Sequence, residues 1–330
     1  MAPRWRLPLL VLGFVSLALG VAGGLARLTP SLDVFPSAIA LHGPLMVSAF
    51  FGTVIALERA AALDRLWAYA APLFAGLGGV LLLLNLAVAG FAAMALGAAV
   101  FCIASAMIFA RQPSLEMGAL LAGSLAWLAG NVLLFFGLAA VPWWIAFFAL
   151  TIGGERLELS RYLRRPAWAR HAFLILSTGL LVAPLVPRAM GVVLLLLALW
   201  LFFFDLARVT IRQSGLTRYV AACLLPGYFW LALGGALIAA QLAYDAALHA
   251  IFVGFVFSMV FGHAPVILPA VLRTRFPYSP VLYAPLVLLH ASLAVRVVFS
   301  IELGAWGNAA AIAFFIVTAA ALVLGRRRSM

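Results

Sequence analysis

The run from Asp245 to Arg273, DAALHAIFVGFVFSMVFGHAPVILPAVLR, decides how the rest of the chain is read. It is apolar throughout and longer than the ~20 helical residues that cross the ~30 Å hydrocarbon core of a bilayer. Two histidines interrupt it, His249 and His263. An imidazole in hydrocarbon is costly unless paired, so each marks a candidate functional position. Fourteen residues separate them, roughly four turns, which puts both on nearly the same helix face about 21 Å apart.

Composition extends that reading to the whole chain. Of 330 residues, 67% are hydrophobic and only 9% charged, with a mean hydropathy of +1.20. So little polar surface excludes a soluble domain and makes this an integral membrane protein. The net charge of +12 comes from 21 basic residues, all arginine, against nine acids. These arginines lie in short connections between apolar runs, which favours anionic membrane lipid over nucleic acid as partner. Cys102 and Cys223 occupy separate apolar segments without a CxxC pair and read as ordinary buried residues.

Hydropathy predicts twelve helices, at 7–28, 37–57, 68–90, 91–111, 116–138, 141–160, 171–186, 189–211, 217–241, 246–272, 280–301 and 304–325. Arg4 and Arg6 before the first run resemble a signal peptide, but eleven further runs make it the first membrane helix. Arginine-rich connections alternate with nearly uncharged ones. The positive-inside rule then places both termini in the cytoplasm, including the tail Arg326–Arg328. The expectation is a single all-α transmembrane domain over 1–330. Thr53-Val-Ile-Ala-Leu-Glu-Arg59 closes the second helix and Thr151-Ile-Gly-Gly-Glu-Arg156 the sixth, a weak echo that three four-helix repeats would produce.

Four of the five histidines fall inside helices, and depth sorts them. His42 and His249 lie near the outer ends of the second and tenth helices, at depths agreeing within ~3–4 Å. His263 and His290 lie ~13 Å and ~15 Å above the inner boundary. Imidazoles paired at matched depth suit the two axial positions of a membrane haem, or a copper, zinc or iron site. The plainer alternative is four separate polar side chains, each bonded to a carbonyl, a serine or water. His171, beside the basic loop RYLRRPAWAR, reads as a solvated or lipid-facing residue.

Neighbouring residues bear on the same positions. Arg296, six residues after His290, is placed either to hold an anion such as a haem propionate or to snorkel to the interface. Met46 and Met259 share helix faces with His42 and His263. Gly43 and Pro44 open room beside His42 or bend its helix, and Pro265 and Pro269 do the same below His263. Asn85 and Asn131 read as mid-helix residues in interhelical hydrogen bonds. No acid is expected near the midplane, which argues against a cation or proton transporter.

Twelve helices with histidines near the outer ends of the second and tenth resemble the haem-copper oxidase catalytic subunit. The sequence is more similar still to the NnrS family of haem- and copper-associated bacterial membrane proteins linked to nitric oxide stress. His42-Gly-Pro-Leu-Met46-Val-Ser-Ala-Phe, Ile152-Gly-Gly-Glu-Arg156, Leu248-His249-Ala250 with Gly254 and Gly262, and His290-Ala-Ser-Leu-Ala-Val-Arg296-Val carry the resemblance. It implies a b-type haem on His42 and His249 with Arg296 as propionate anchor. A second haem or copper would sit at His263 and His290. The copper-B and high-spin haem ligands of an oxidase have no counterpart, and Pro44 stands where NnrS proteins usually carry a second histidine.

The resulting expectation is an NnrS-like haem protein in electron transfer or nitrosative-stress protection, served by a redox partner or quinone. The alternatives are a transporter or metal-ion permease whose intramembrane histidines bind substrate, and a scaffold subunit.

Overall fold

A computed structural model describes residues 5–161 and 163–325; the predicted cytoplasmic ends, with Arg4 and Arg326–Arg328, lie outside them. These residues are helical throughout, with no strand. We number the helices α1 (Leu7–Ala26), α2 (His42–Leu63), α3 (Leu66–Leu83), α4 (Ala87–Arg111), α5 (Leu115–Phe135) and α6 (Val141–Leu159). There follow α7 (Ala167–Leu185), α8 (Pro187–Phe204), α9 (Gly215–Ala240), α10 (Tyr244–Leu272), α11 (Pro280–Val298) and α12 (Ile301–Gly325). Eleven are long and apolar enough to cross a bilayer. The remaining one, α6, carries Glu155, Arg156 and Glu158 in its last turns, which lowers its hydropathy.

Burial separates lipid-facing helices from enclosed ones. A third of the apolar window is buried in α7 and in α12, against 67% in α2 and 67% in α10. In α6 burial is nearly continuous from Trp144 to Gly154. The three enclosed helices are thus four apart in the chain. Two of them also leave α-helical geometry, with π-helical bonding over Leu45–Phe51 in α2 and Ala250–Phe257 in α10. Each π segment starts within three residues of a histidine, His42 or His249. Such i→i+5 turns are rare and concentrate at functional sites.

The chain forms two compact units, one reaching Phe147 and including Ala270–Arg273, the other comprising Phe148–Pro269 and the chain from Thr274. The boundary falls inside α6. In the first unit α1 packs on the π segment of α2 and on α3, and the chain continues through α3–α4 and α4–α5 pairs. Its centre is polar. Asn131 of α5 accepts hydrogen bonds from Ser48 Oγ at 2.5 Å and Trp144 Nε1 at 3.1 Å, and donates to the Met94 carbonyl at 3.2 Å. Trp127 donates in turn to Ser48 at 3.2 Å. Without water in the hydrocarbon, these groups have only each other. The Trp127 indole lies where a side chain at position 52 would stand, so Gly52 is the residue that admits it.

In the second unit α8 and α9 pack closely, the approach of their backbones resting on Gly191 and Gly235. The α10 π segment packs on α9 and α11, and the Gly254 position is overhung by the Trp230 indole. Hairpin α11–α12 closes at Gly304, set against the backbone of Arg296, and Gly307, set against Ser292.

Asn131 is a mid-helix bonding residue as its sequence context suggested; Asn85 is not. Asn85 is exposed in the turn between α3 and α4 with φ +62°. Asparagine tolerates this left-handed conformation and stops α3 there, earlier than hydropathy alone indicates. Asn131→Leu should therefore cost about 1–3 kcal/mol, read as a lower thermal midpoint in detergent. Asn85→Gly should leave that midpoint unchanged within about 0.5 kcal/mol.

Candidate functional site

The histidines are best compared through their ring nitrogens, because the partner of one nitrogen fixes what the other can do. His42 opens α2, and its Nδ1 lies 2.6 Å from the carbonyl of Gly20 in α1. A carbonyl only accepts, so the proton resides on Nδ1 and Nε2 presents the lone pair. Packing fixes the ring as well as the tautomer. Gly24 lies against the imidazole, and Met46, one turn into α2, puts its sulfur against Gly20. On the other side of the motif, a Cβ at Gly43 would meet only Trp144, about 4.0 Å away. Just before it, Arg27 secures the short helix Pro36–Ala40 by donating to the carbonyls of Ile39 at 2.7 Å and Ala40 at 2.9 Å.

His249 reaches the same state by a different route. Its Nδ1 lies 2.8 Å from the carbonyl of Asp245, one turn earlier in α10, and 3.3 Å from that residue's Oδ1. Arg296 of α11 holds the same carboxylate, its Nη2 lying 3.1 and 3.0 Å from the two oxygens. The result is a chain Arg296–Asp245–His249 that keeps the proton on Nδ1 and makes Nε2 the acceptor atom. A carboxylate behind an imidazole is the arrangement that orients metal-ligating histidines. The pair is asymmetric in exposure, with 7% for the Arg296 side chain and 49% for Asp245. Arg296 was expected to meet a haem propionate or the interface; it has an acid of its own chain. Asp245 was missed as its partner, although its position four residues before His249 was a usable signal.

The inner two histidines differ from each other. His263 places Nδ1 2.9 Å from the Met259 carbonyl, and its Nε2 is buried with no hydrogen-bond partner among the described residues. His290 has both nitrogens engaged. Trp230 donates its indole N–H to His290 Nδ1 at 3.0 Å, which puts the proton on Nε2, 3.2 Å from Ser258 Oγ. Ser258 passes its own proton to the Cys223 carbonyl at 2.6 Å. An ion at His290 would have to displace Trp230 or Ser258. His171 is the exposed comparison, with Nδ1 3.0 Å from the Ala167 carbonyl. A bond to the carbonyl one turn back therefore sets a tautomer without by itself marking a site.

The second unit also holds a charged centre that sequence reading passed over. Arg156 Nε and Nη2 grip Asp205 at 2.8 and 3.1 Å, with exposures of 5% and 1%. Ser160 Oγ lies 3.4 Å from the carboxylate, and the Ala207 amide donates to it at 2.6 Å. Arg156 had entered the reading only as part of a motif. Among the described residues no three His, Cys, Asp or Glu side chains gather as a metal cluster.

A family model described as a domain of unknown function, DUF8744, matches residues 6–324. The chain belongs to the DUF8744 family. No curated protein matches, and no solved structure does. For this DUF8744 member the residues themselves therefore carry the functional argument.

The buried pair makes a definite prediction. Arg156→Met strands a buried carboxylate and should cost about 3–5 kcal/mol. Adding Asp205→Leu should restore most of that loss, measured as thermal midpoint and yield of folded protein.

Proposed function

We propose that this protein is a haem-binding, multi-pass protein of the bacterial inner membrane, in which His42 and His249 are axial ligands through Nε2. The observation that carries the reading is how the two side chains are held. His42 commits its Nδ1 proton to the Gly20 carbonyl of another helix, three residues before a π-helical segment, and His249 commits its own to Asp245, whose carboxylate Arg296 holds, directly before another. A neutral imidazole with its second nitrogen so engaged is the form that iron takes.

Beside His42, the glycine at position 43 keeps side-chain bulk away from the imidazole, with Trp144 the nearest group to where a Cβ would stand. At His249 the chain's own residues supply a positive charge through Arg296, already joined to Asp245. When bound, haem would supply one-electron iron chemistry. The protein's part would be to orient the imidazoles and exclude water. His263 is the stronger inner candidate for a second haem or copper, having a buried Nε2 without partner. In the NnrS-like reading the role is electron transfer or protection against nitric oxide, with a redox partner or quinone completing the circuit. The arginine-rich connections support cytoplasmic termini.

Optical spectra of purified protein, oxidised and dithionite-reduced, test this directly. The parent should show Soret and α bands that His42→Ala and His249→Ala each diminish or abolish, while His171→Ala leaves them unchanged. Haem content per chain would show whether the two ligate one iron or two. A colourless parent after expression with ample haem, or spectra indifferent to both substitutions, overturns the proposal.

A further inference from the structure

Helices α7 and α8 form an open groove of about 350 Å³ along their shared face. Every residue lining it is apolar. One wall comes from Trp168, Ala172 and Ile175, the other from Leu199, Phe203 and Phe204, and Trp200 forms the floor. On each helix these positions recur at three- and four-residue spacing, so each presents one continuous stripe. From Trp168 to Leu176 the groove runs ~12 Å along the helix, most of the depth of one leaflet of a ~30 Å hydrocarbon core. Trp200 is fixed there by donating to the Ala169 carbonyl at 2.8 Å.

What distinguishes this groove from ordinary lipid-facing surface is its mouth. The last residues of α8 both line the groove and bind arginines. Arg165 Nε donates to the Phe204 carbonyl at 3.0 Å, its guanidinium 5.5 Å from the Trp200 ring, and Arg208 Nη1 donates to the Phe203 carbonyl at 2.5 Å. Arg161, Arg164, Arg170 and Arg208 are all exposed. The buried acid of this region, Asp205, is already paired with Arg156. Trp168, 60% exposed, meets Phe204 edge to face at the same end. An apolar channel of leaflet depth thus ends at guanidinium groups anchored beside it. Guanidinium is the side chain best suited to phosphate, through paired N–H donors.

We propose that this groove is a specific site for an anionic phospholipid, one acyl chain lying between α7 and α8 and the headgroup phosphate held by Arg165 and Arg208. The site is independent of any haem at the histidines. It makes this face of the protein a fixed lipid position rather than exchanging annular contact.

Detergent-purified protein should be titrated with an equal mixture of phosphatidylglycerol and phosphatidylcholine of the same chain composition, and retained lipid read by native mass spectrometry. The parent is expected to retain one phosphatidylglycerol preferentially. Ala172→Trp, which fills the groove, should abolish that retention. Arg208→Gln should lower the preference about fivefold. Equal retention of both lipids by the parent, or undiminished phosphatidylglycerol retention by Ala172→Trp, overturns the proposal. Arg208 is exposed, so its variant keeps the test decisive even if Ala172→Trp fails to fold.

Discussion

Within a bilayer a polar group cannot exchange a protein partner for water, and this constraint organises the whole chain. The three helices most enclosed by protein all carry intramembrane polar chemistry. In α2 they are His42, Ser48 and Thr53, in α6 Thr151 and Arg156, and in α10 His249, Ser258 and His263. The lipid-facing helices α7 and α12 show the complementary pattern of broad apolar surface. Enclosure lets a helix bear such residues, because neighbouring helices supply the partners. Ser48 finds Asn131, Ser258 finds Cys223 and His290, and Arg156 finds Asp205.

Those partnerships differ in what they leave available. The Asn131 network satisfies each group it touches and joins α2, α4, α5 and α6. His290 is satisfied in the same sense, its two nitrogens fixed by Trp230 and Ser258. Those are structural solutions. At His42, His249 and His263 the protein engages Nδ1 with a carbonyl, and the buried Nε2 of His263 has no hydrogen-bond partner among the described residues. Only His42 draws that carbonyl from another helix, so its orientation depends on the α1–α2 packing at Gly20 and Gly24. His249 depends instead on its own helix and on the Arg296–Asp245 pair.

Arginine use follows the same division between the enclosed and the exposed. Arg156 and Arg296 are buried against carboxylates, where desolvation makes the pairing obligatory rather than strongly stabilising. Arg165 and Arg208 sit at the end of α8, where the last carbonyls lack intrahelical donors. One residue type therefore closes ion pairs inside the second unit and caps a helix at its surface.

The sequence by itself determined the all-helical, multi-pass architecture and the approximate position of all twelve helices. A bilayer leaves a chain this apolar few other solutions, and hydropathy reports depth along a helix directly. It also singled out His42, His249, His263, His290 and Arg296, because polar side chains stand out against hydrocarbon. What only the tertiary structure decided is which partner each one meets. Rotation about the helix axis is invisible to hydropathy, so Asp245 as the partner of Arg296, Gly20 as that of His42, and Trp230 with Ser258 around His290 could not be read from depth. The Arg156–Asp205 pair escaped for a related reason. Both residues lie at helix ends, where charge is ordinarily solvated, and only the packing of α6 beside the end of α8 takes water away from them.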